Sequence, residues 1–365
     1  MQSLVFGVSR ATRLAVGAPT VRLRRVACAL AVLSSALGCG SDDDDADTVA
    51  LADSGSLTAL TTSMEIPTSV TVRDGIAWVA ESQLDQYPPF NGGVGTPGPF
   101  RLVGVPLAGG APQRIDLPAN YFPESVTVSA ANRMYVGSVA DGAIYTVDPG
   151  GLEAREFLPA GTLDKPSVLG LAVSADVKIL WVCNTVSSPP QGELPSADLV
   201  GIDTSTRQIV ATHQLPNSTV GSFCSDVVVA PNGNLWVTES FGGRLFRIPA
   251  AEALTNSAAT PWLQADQLAG PMGPAVNSFG VNGLALLGGR LFVVNSFRGI
   301  LLSIDPTLAA PVADDLRHVA VQEGGAEVLL SNPDGITAQG ESGILIAENG
   351  YGLPGGKRLV RVDLQ

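Results

Sequence analysis

The sequence predicts an all-β fold, a six-bladed β-propeller of four-stranded blades. Three observations predict it. One phrase of short strands recurs six times along the chain; its period is close to fifty residues; and the composition is that of strands joined by tight turns. The 365 residues include 41 Gly and 26 Pro, with 45% apolar and only 15% charged residues. Gly and Pro punctuate strands and break helices, while the apolar fraction is ample for a packed core.

The clearest copy of the phrase is Pro123-Glu124-Ser125-Val126-Thr127-Val128, a turn, Arg133-Met134-Tyr135-Val136, then Gly142-Ala143-Ile144-Tyr145-Thr146-Val147-Asp148. Each segment has strand length, alternates or is apolar throughout, and is bounded by turn residues. Ser69–Val72 leads likewise to Ala77-Trp78-Val79, and Gly170–Val173 to Leu180-Trp181-Val182. Asp226–Val229 leads to Leu235-Trp236-Val237, Gly283–Leu286 to Leu291-Phe292-Val293, and Gly335-Ile336-Thr337 to Ile344-Leu345-Ile346. Aligning Val70, Val126, Leu171, Val227, Leu284 and Ile336 gives spacings of 56, 45, 56, 57 and 52 residues. Four strands per unit at that period mark a propeller. The last repeat ends at Lys357–Leu364, a third strand with no fourth after it. Ser56–Thr62 stands where an outer strand belongs, and is expected to complete the last blade and latch the ring.

Ahead of the propeller, expected over 55–365, lie two other segments. Arg22, Arg24 and Arg25 precede an apolar run from Val26 to Leu37 that ends Ala36-Leu37-Gly38-Cys39. A basic lead, a short apolar core and small residues before a cleavage point make an export signal, too short to span a bilayer. The ending resembles the lipobox of bacterial lipoproteins. It implies a signal peptide over 1–38 and a lipid on Cys39, anchoring the chain to the cell envelope; an ordinary cleaved secretory signal is the plainer alternative. Residues 39–54, with Asp42 to Asp45, read as an acidic tether.

The net charge of −13 and the presence of only three lysines (Lys165, Lys178 and Lys357) exclude nucleic acid as a natural partner. The expected partners are a small molecule or an envelope component, with the membrane met only through the anchor and the chain a monomer. His213 and His318 are the only histidines and fall in outer-strand regions, which disfavours a Ser-His-Asp hydrolase or a histidine-zinc site. Cys28 lies in the signal, leaving Cys183 and Cys224 near one mouth as either a disulfide or two buried thiols.

The residue two before each aligned position should face the axis where the inner strand begins. Around the ring these are Thr68, Glu124, Leu169, Ser225, Asn282 and Asp334. Oxygen donors from three blades converge, as hard cations require. The second strands end in Glu81, Ser138, Asn184, Glu239, Asn295 and Glu348, expected to rise toward the same mouth. Each Asp-Gly, Glu-Ser or Asn-Gly pair taken singly is also an ordinary turn pair.

Pro123-Glu124-Ser125-Val126, Val281-Asn282-Gly283-Leu284-Ala285 and Asn332-Pro333-Asp334-Gly335-Ile336 together resemble the senescence marker protein/gluconolactonase/luciferin-regenerating enzyme-like propellers. The resemblance implies a divalent metal on Glu124, Asn282 and Asp334, with Ca²⁺ foremost and Mg²⁺ or Zn²⁺ as alternatives. It implies that Asp334 doubles as general base and that the substrate is a sugar-acid lactone or related ester. Ser225 stands where that family often has a second Asn. Ser225, Glu239, Asn295 and Glu348 are the expected substrate contacts. The competing expectation is a non-catalytic envelope propeller that binds a glycan, peptide or protein through its long loops, Gln83–Phe100 and Ser187–Leu199 among them.

Overall fold

The computed structural model describes residues 53–91, 95–271, 279–350 and 356–365. The signal segment, Cys39 and the tether as far as residue 52 lie outside the described residues. Strand β1 (Ser54–Thr61) comes first. The first sheet follows, β2 (Pro67–Arg73), β3 (Ile76–Glu81), β4 (Arg101–Pro106) and β5 (Gln113–Asp116). The second holds β6 (Pro123–Val128), β7 (Met134–Ser138), β8 (Ile144–Val147) and β9 (Ala154–Leu158). The third holds β10 (Ser167–Val173), β11 (Ile179–Thr185), β12 (Ala197–Asp203) and β13 (Ile209–Leu215). In the fourth, β14 (Cys224–Val229), β15 (Leu235–Glu239) and β16 (Arg244–Ile248) are followed by β17 (Ser257–Ala258), which pairs back onto β13, and then β18 (Pro261–Gln264). Last come β19 (Val281–Leu287), β20 (Arg290–Asn295), β21 (Ile300–Ile304), β22 (Arg317–Glu323), β23 (Ala326–Glu327), β24 (Pro333–Gln339), β25 (Gly343–Glu348) and β26 (Arg358–Leu364).

The arrangement is all-β and propeller-like, with almost no helix among the described residues. The inner strands β2, β6, β10, β14, β19 and β24 pack side by side in a closed cycle. Hydrogen bonding does not divide the chain into six separate sheets, however. It gives four separate sheets and a nine-stranded one ordered β19-β20-β21-β22-β1-β26-β25-β24, with β23 on β22. The reason is β1. It pairs antiparallel with β26 (Leu57 opposite Val362) and parallel with β22 (Ser54 opposite Ala320), stitching two rows of strands into one sheet. The N-terminal strand therefore covers two edges that would otherwise stand open. Leu57 is buried in one cluster with Val319, Val321, Val360 and Val362.

Aromatic side chains of the second strands fill the space between sheets. Trp78, Tyr135, Trp181, Trp236 and Phe292 are all essentially inaccessible. Each buries an area that shorter side chains could not cover across facing sheets. Cys183 on β11 and Cys224 on β14 form a disulfide with Cα atoms 5.2 Å apart, tying the third sheet to the fourth.

Candidate functional site

Every inner strand begins with an irregularity in its ladder. Pro67 faces Glu81, yet Ser69 faces Ala80, so Thr68 is an extra residue; Glu124 and Ser225 are extra in the same way. The register also shifts across 168–171, 281–284 and 333–336, the stretches that hold Leu169, Asn282 and Asp334. A bulge leaves one residue unpaired and re-aims its side chain. Five of the six side chains so placed, Glu124, Leu169, Ser225, Asn282 and Asp334, line one cavity, while Thr68 Oγ1 donates to the Glu124 carbonyl. The strand starts are crowded: a Cβ on Gly283 would stand 2.2 Å from the Asp334 carbonyl oxygen.

The bulges bring Glu124, Ser225, Asn282 and Asp334 together around a cavity of about 40 Å³, with Asn332 and Asn349 beside them. Ile66, Leu84, Leu169, Phe223 and Phe279 supply apolar walls. Phe279 stacks on Phe241 at 5.7 Å and lies 4.9 Å from Phe223. A water needs roughly 10–15 Å³ by this measure, so the cavity suits an ion with a few waters. Ile66, Phe122 and Asn332, each immediately before an inner strand's leading proline, hold φ of 54°, 43° and 50°. Left-handed backbone at non-glycine residues, Ile above all, is strain of the kind that gathers at functional sites.

Donor chemistry in the cavity is one-sided. Asn349 Nδ2 donates to Asp334 Oδ2 at 2.9 Å, and Asn282 Nδ2 donates to Ser296 Oγ at 3.1 Å. The Asn282 amide also bonds to Asp334. With its NH₂ so engaged, Asn282 is left with its carbonyl oxygen as the group it can offer a ligand. The Glu124 carboxylate, only 8% exposed, has no hydrogen-bond partner among the described residues. Ser225 bonds to Ser240 Oγ, which itself donates to the Val281 carbonyl.

Asp226 is a third carboxylate, which the ring of expected residues passes over. It follows Ser225, accepts from Val227 N at 2.8 Å and Leu284 N at 3.3 Å, and lines the channel beneath the cavity. Loss of hydration, reinforced by the Asp334 and Asp226 charges, holds Glu124 well above the usual carboxylate range. Loss of hydration likewise lifts Asp334 to about 7, with the Asn349 bond opposing and Asp226 adding to the rise. Asp226 is lifted to about 7 for the same first reason. Among the described residues no basic group acts on any of the three.

The expected contacts Glu239, Asn295 and Glu348 stand elsewhere. Glu239 is wholly buried and accepts from Phe223 N, Phe241 N, Gly242 N and Arg244 Nε at 2.7–3.0 Å. Glu348 accepts from Ser331 N and Arg358, and Glu81 from Glu65 N and Arg101. Asn295 donates to the Gln267 and Ala269 carbonyls, and Asn184 binds the Lys165 backbone. The second-strand ends do not line the mouth. They clip the loop entering each inner strand, and in three sheets an arginine directly across the ladder neutralises the acid. His213 is buried against Ser257 Oγ and the Ala253 carbonyl, and His318 lies near Glu327; neither lines the cavity. Among the described residues no three His, Cys, Asp or Glu side chains cluster to hold a metal, so an ion in this cavity would need oxygen donors beyond Glu124 and Asp334, of which Asn282, Ser225, Asn332 and Asn349 line it.

Comparison with known proteins bears on the fold. A family model described as strictosidine synthase-like, N-terminal, matches residues 110–147. No curated protein sequence matches. Among solved structures, the calcium-binding protein regucalcin from Agrobacterium tumefaciens is similar with TM-score 0.59 and 14% identity, over 86% of this chain and 96% of that one. A structure provisionally assigned as a gluconolactonase gives 0.57 and 10%, over 85% and 92%. Virginiamycin B lyase from Staphylococcus aureus, in a catalytically inactive His-to-Ala form with quinupristin, gives 0.52 and 16%, over 85% and 99%. At these identities the likeness establishes a propeller fold.

Proposed function

We propose that this chain is a divalent-cation-dependent hydrolase of a lactone or related ester, of the gluconolactonase-like kind. One observation carries the reading: two buried carboxylates, Glu124 and Asp334, line one cavity with the Asn282 amide beside them and, among the described residues, no basic group to offset them. Uncompensated buried charge is costly, and a bound cation is the simplest remedy. Oxygen donors alone suit Ca²⁺ or Mg²⁺ better than Zn²⁺. The regucalcin and gluconolactonase likenesses point the same way, whereas the lyase whose inactive form lacks a histidine has no counterpart here, since neither histidine lines the cavity.

Glu124, Asp334 and the Asn282 carbonyl oxygen would hold the ion, which when bound polarises a carbonyl and acidifies water. Asp334, kept in place by Asn349 and Asn282, takes the proton from the attacking water. Ser225 lies within the cavity and can hold a substrate oxygen. The Phe223 and Phe279 walls favour an ester or lactone with an apolar substituent over a heavily hydroxylated one. The nine-stranded sheet is read as two blades joined by β1, making six blades in the ring. The chain as a whole is read as a monomeric, exported lipoprotein anchored through Cys39.

The test is turnover of a lactone and aryl-ester panel with Ca²⁺ or Mg²⁺, alongside elemental analysis. Loss of at least about a hundredfold in kcat in Asp334→Asn supports the reading, since a positioned base contributes roughly 10²–10⁴-fold. Absence of both turnover and bound metal overturns it. It would leave the non-catalytic alternative, testable by partner capture after deletion of Gln83–Phe100.

A further inference from the structure

A second cavity, of about 550 Å³, opens at the other end of the blades. Inner strands start at the carboxylate mouth, so the turns that follow them lie at the opposite face. Two such turns line this cavity, Pro231–Asn234 after β14 and Leu287–Gly289 after β19, together with Pro306 and Thr307 after β21. Its volume falls in the range of small-molecule sites, roughly 300–1,000 Å³.

Arg247 and Trp236 form its wall. The guanidinium lies over the indole, 5.6 Å from the ring centroid, yet takes part in no hydrogen bond or ion pair among the described residues, and its Nε is buried without a partner. The first sheet shows what satisfaction looks like. There Arg73 lies 5.4 Å over Trp78 and donates to the Asp148 and Gly151 carbonyls, in the turn after the third strand of the next sheet. The matching turn beside Arg247 is Asp305-Pro306-Thr307. Its acid folds onto itself, with Asp305 Oδ1 accepting from Thr307 N and Oγ1 at 2.8 and 2.6 Å. Arg247 is left facing open space.

Two side-chain amides, Asn232 and Asn234, also line the cavity. Asn232 Oδ1 accepts from Asn234 N, and Asn234 Oδ1 accepts from Ala250 N, and neither NH₂ group donates to another of the described residues. Pro231, Leu286 and Pro306 are apolar neighbours. A guanidinium whose terminal nitrogens carry no hydrogen bond among the described residues and are not buried, beside two amide NH₂ groups and an aromatic wall, matches a planar carboxylate on a compact apolar body.

We propose that this cavity is a binding site for a small organic carboxylate, with Arg247 pairing the carboxylate and Trp236 packing against the body behind it. The site is separate from the carboxylate-lined cavity and does not depend on how that one is read. On a chain of net charge −13, anion capture must be local rather than diffuse.

The experiment titrates the full chain with benzoate and cyclohexanecarboxylate, with benzamide and inorganic phosphate as comparisons, following tryptophan fluorescence and melting temperature. The expected result is a saturable fluorescence change and a melting rise of about 3–5 °C at a roughly hundredfold excess over Kd. Benzamide should give none. Arg247→Gln should weaken the response at least about tenfold while leaving the circular dichroism spectrum unchanged. Three outcomes overturn the proposal: no carboxylate response up to 20 mM, an equal response in Arg247→Gln, or a response to phosphate with none to either carboxylate.

Discussion

Raising the pH of the metal-free protein should destabilise it, contrary to the usual behaviour of an acidic protein leaving acid conditions. Burial raises the pKa of Asp334 to about 7 in the folded chain from an ordinary 3.8, and that of Asp226 likewise. Between those limits the folded state keeps protons that the unfolded state has released, so stability falls as pH rises through the window and levels off above about 7. One proton difference is worth about 1.4 kcal/mol per pH unit. Glu124 shifts in the same direction, but three carboxyls sharing one field do not ionise independently. A net difference of one to two protons gives about 1.4–2.8 kcal/mol per unit, or a melting point lower by about 2–5 °C per unit for a chain of this size. Carboxylates held low by hydrogen bonds, Asp203 at about 2 foremost and Asp176 and Asp305 with it, lose their contribution only in acid, so pH 5–8 isolates the raised group. The assay is calorimetry in chelator from pH 5 to 8, repeated with Asp334→Asn and with saturating Ca²⁺. The variant should flatten the slope, and Ca²⁺, which binds the ionised form, should reverse its sign. A metal-free melting point that stays level or rises, or a slope that Asp334→Asn leaves intact, would refute the argument.

Three other outcomes follow from the fold. Leu57→Ala should cost about 2–5 kcal/mol in denaturant unfolding, because a buried leucine of the β1 seam leaves a cavity shared by both rows of the nine-stranded sheet; an unchanged midpoint would mean that β1 is not a latch. Replacing Cys183 and Cys224 by serine should lower stability by about 4 kcal/mol, the chain-entropy value for a separation of 41 residues; a midpoint equal to that of the oxidised protein would count against it. Glu239→Gln should destabilise by about 3–5 kcal/mol through the stranded Arg244, yet leave cation affinity and KM alone. A stable variant that had lost substrate affinity would restore Glu239 to the site.

How much of this was legible in the sequence turns on what each residue is paired with. The repeats were legible because strand length and turn residues recur at nearly fixed intervals. That Glu124, Asn282 and Asp334 meet at one cavity was legible because a column taken across repeats survives a bulge: the extra residue falls at the same place in every inner strand. Glu239 and Glu348 were misread as mouth residues because their neutralising partners, Arg244 and Arg358, belong to the next strand. An acid closing one strand opposite an arginine opening the next is a clip, and that cross-strand pairing was present in the sequence at Glu81 and Arg101 too. Asp226 is the instructive omission. The column after the bulged residue reads Ser69, Ser125, Gly170, Asp226, Gly283 and Gly335, small everywhere but once. The structure explains why it must be small: inner strands nearly touch here, and a Cβ on Gly170 would lie 2.4 Å from the Asp226 Cα and 2.6 Å from its Oδ1. Asp226 therefore occupies space that its neighbour's glycine leaves open, and a charged residue where packing asks for none is the kind of local inconsistency that marks function. Its carboxylate adds to the charge felt by both Glu124 and Asp334, so the proposed cation would answer the field of three groups, although the repeat pattern put forward only two of them.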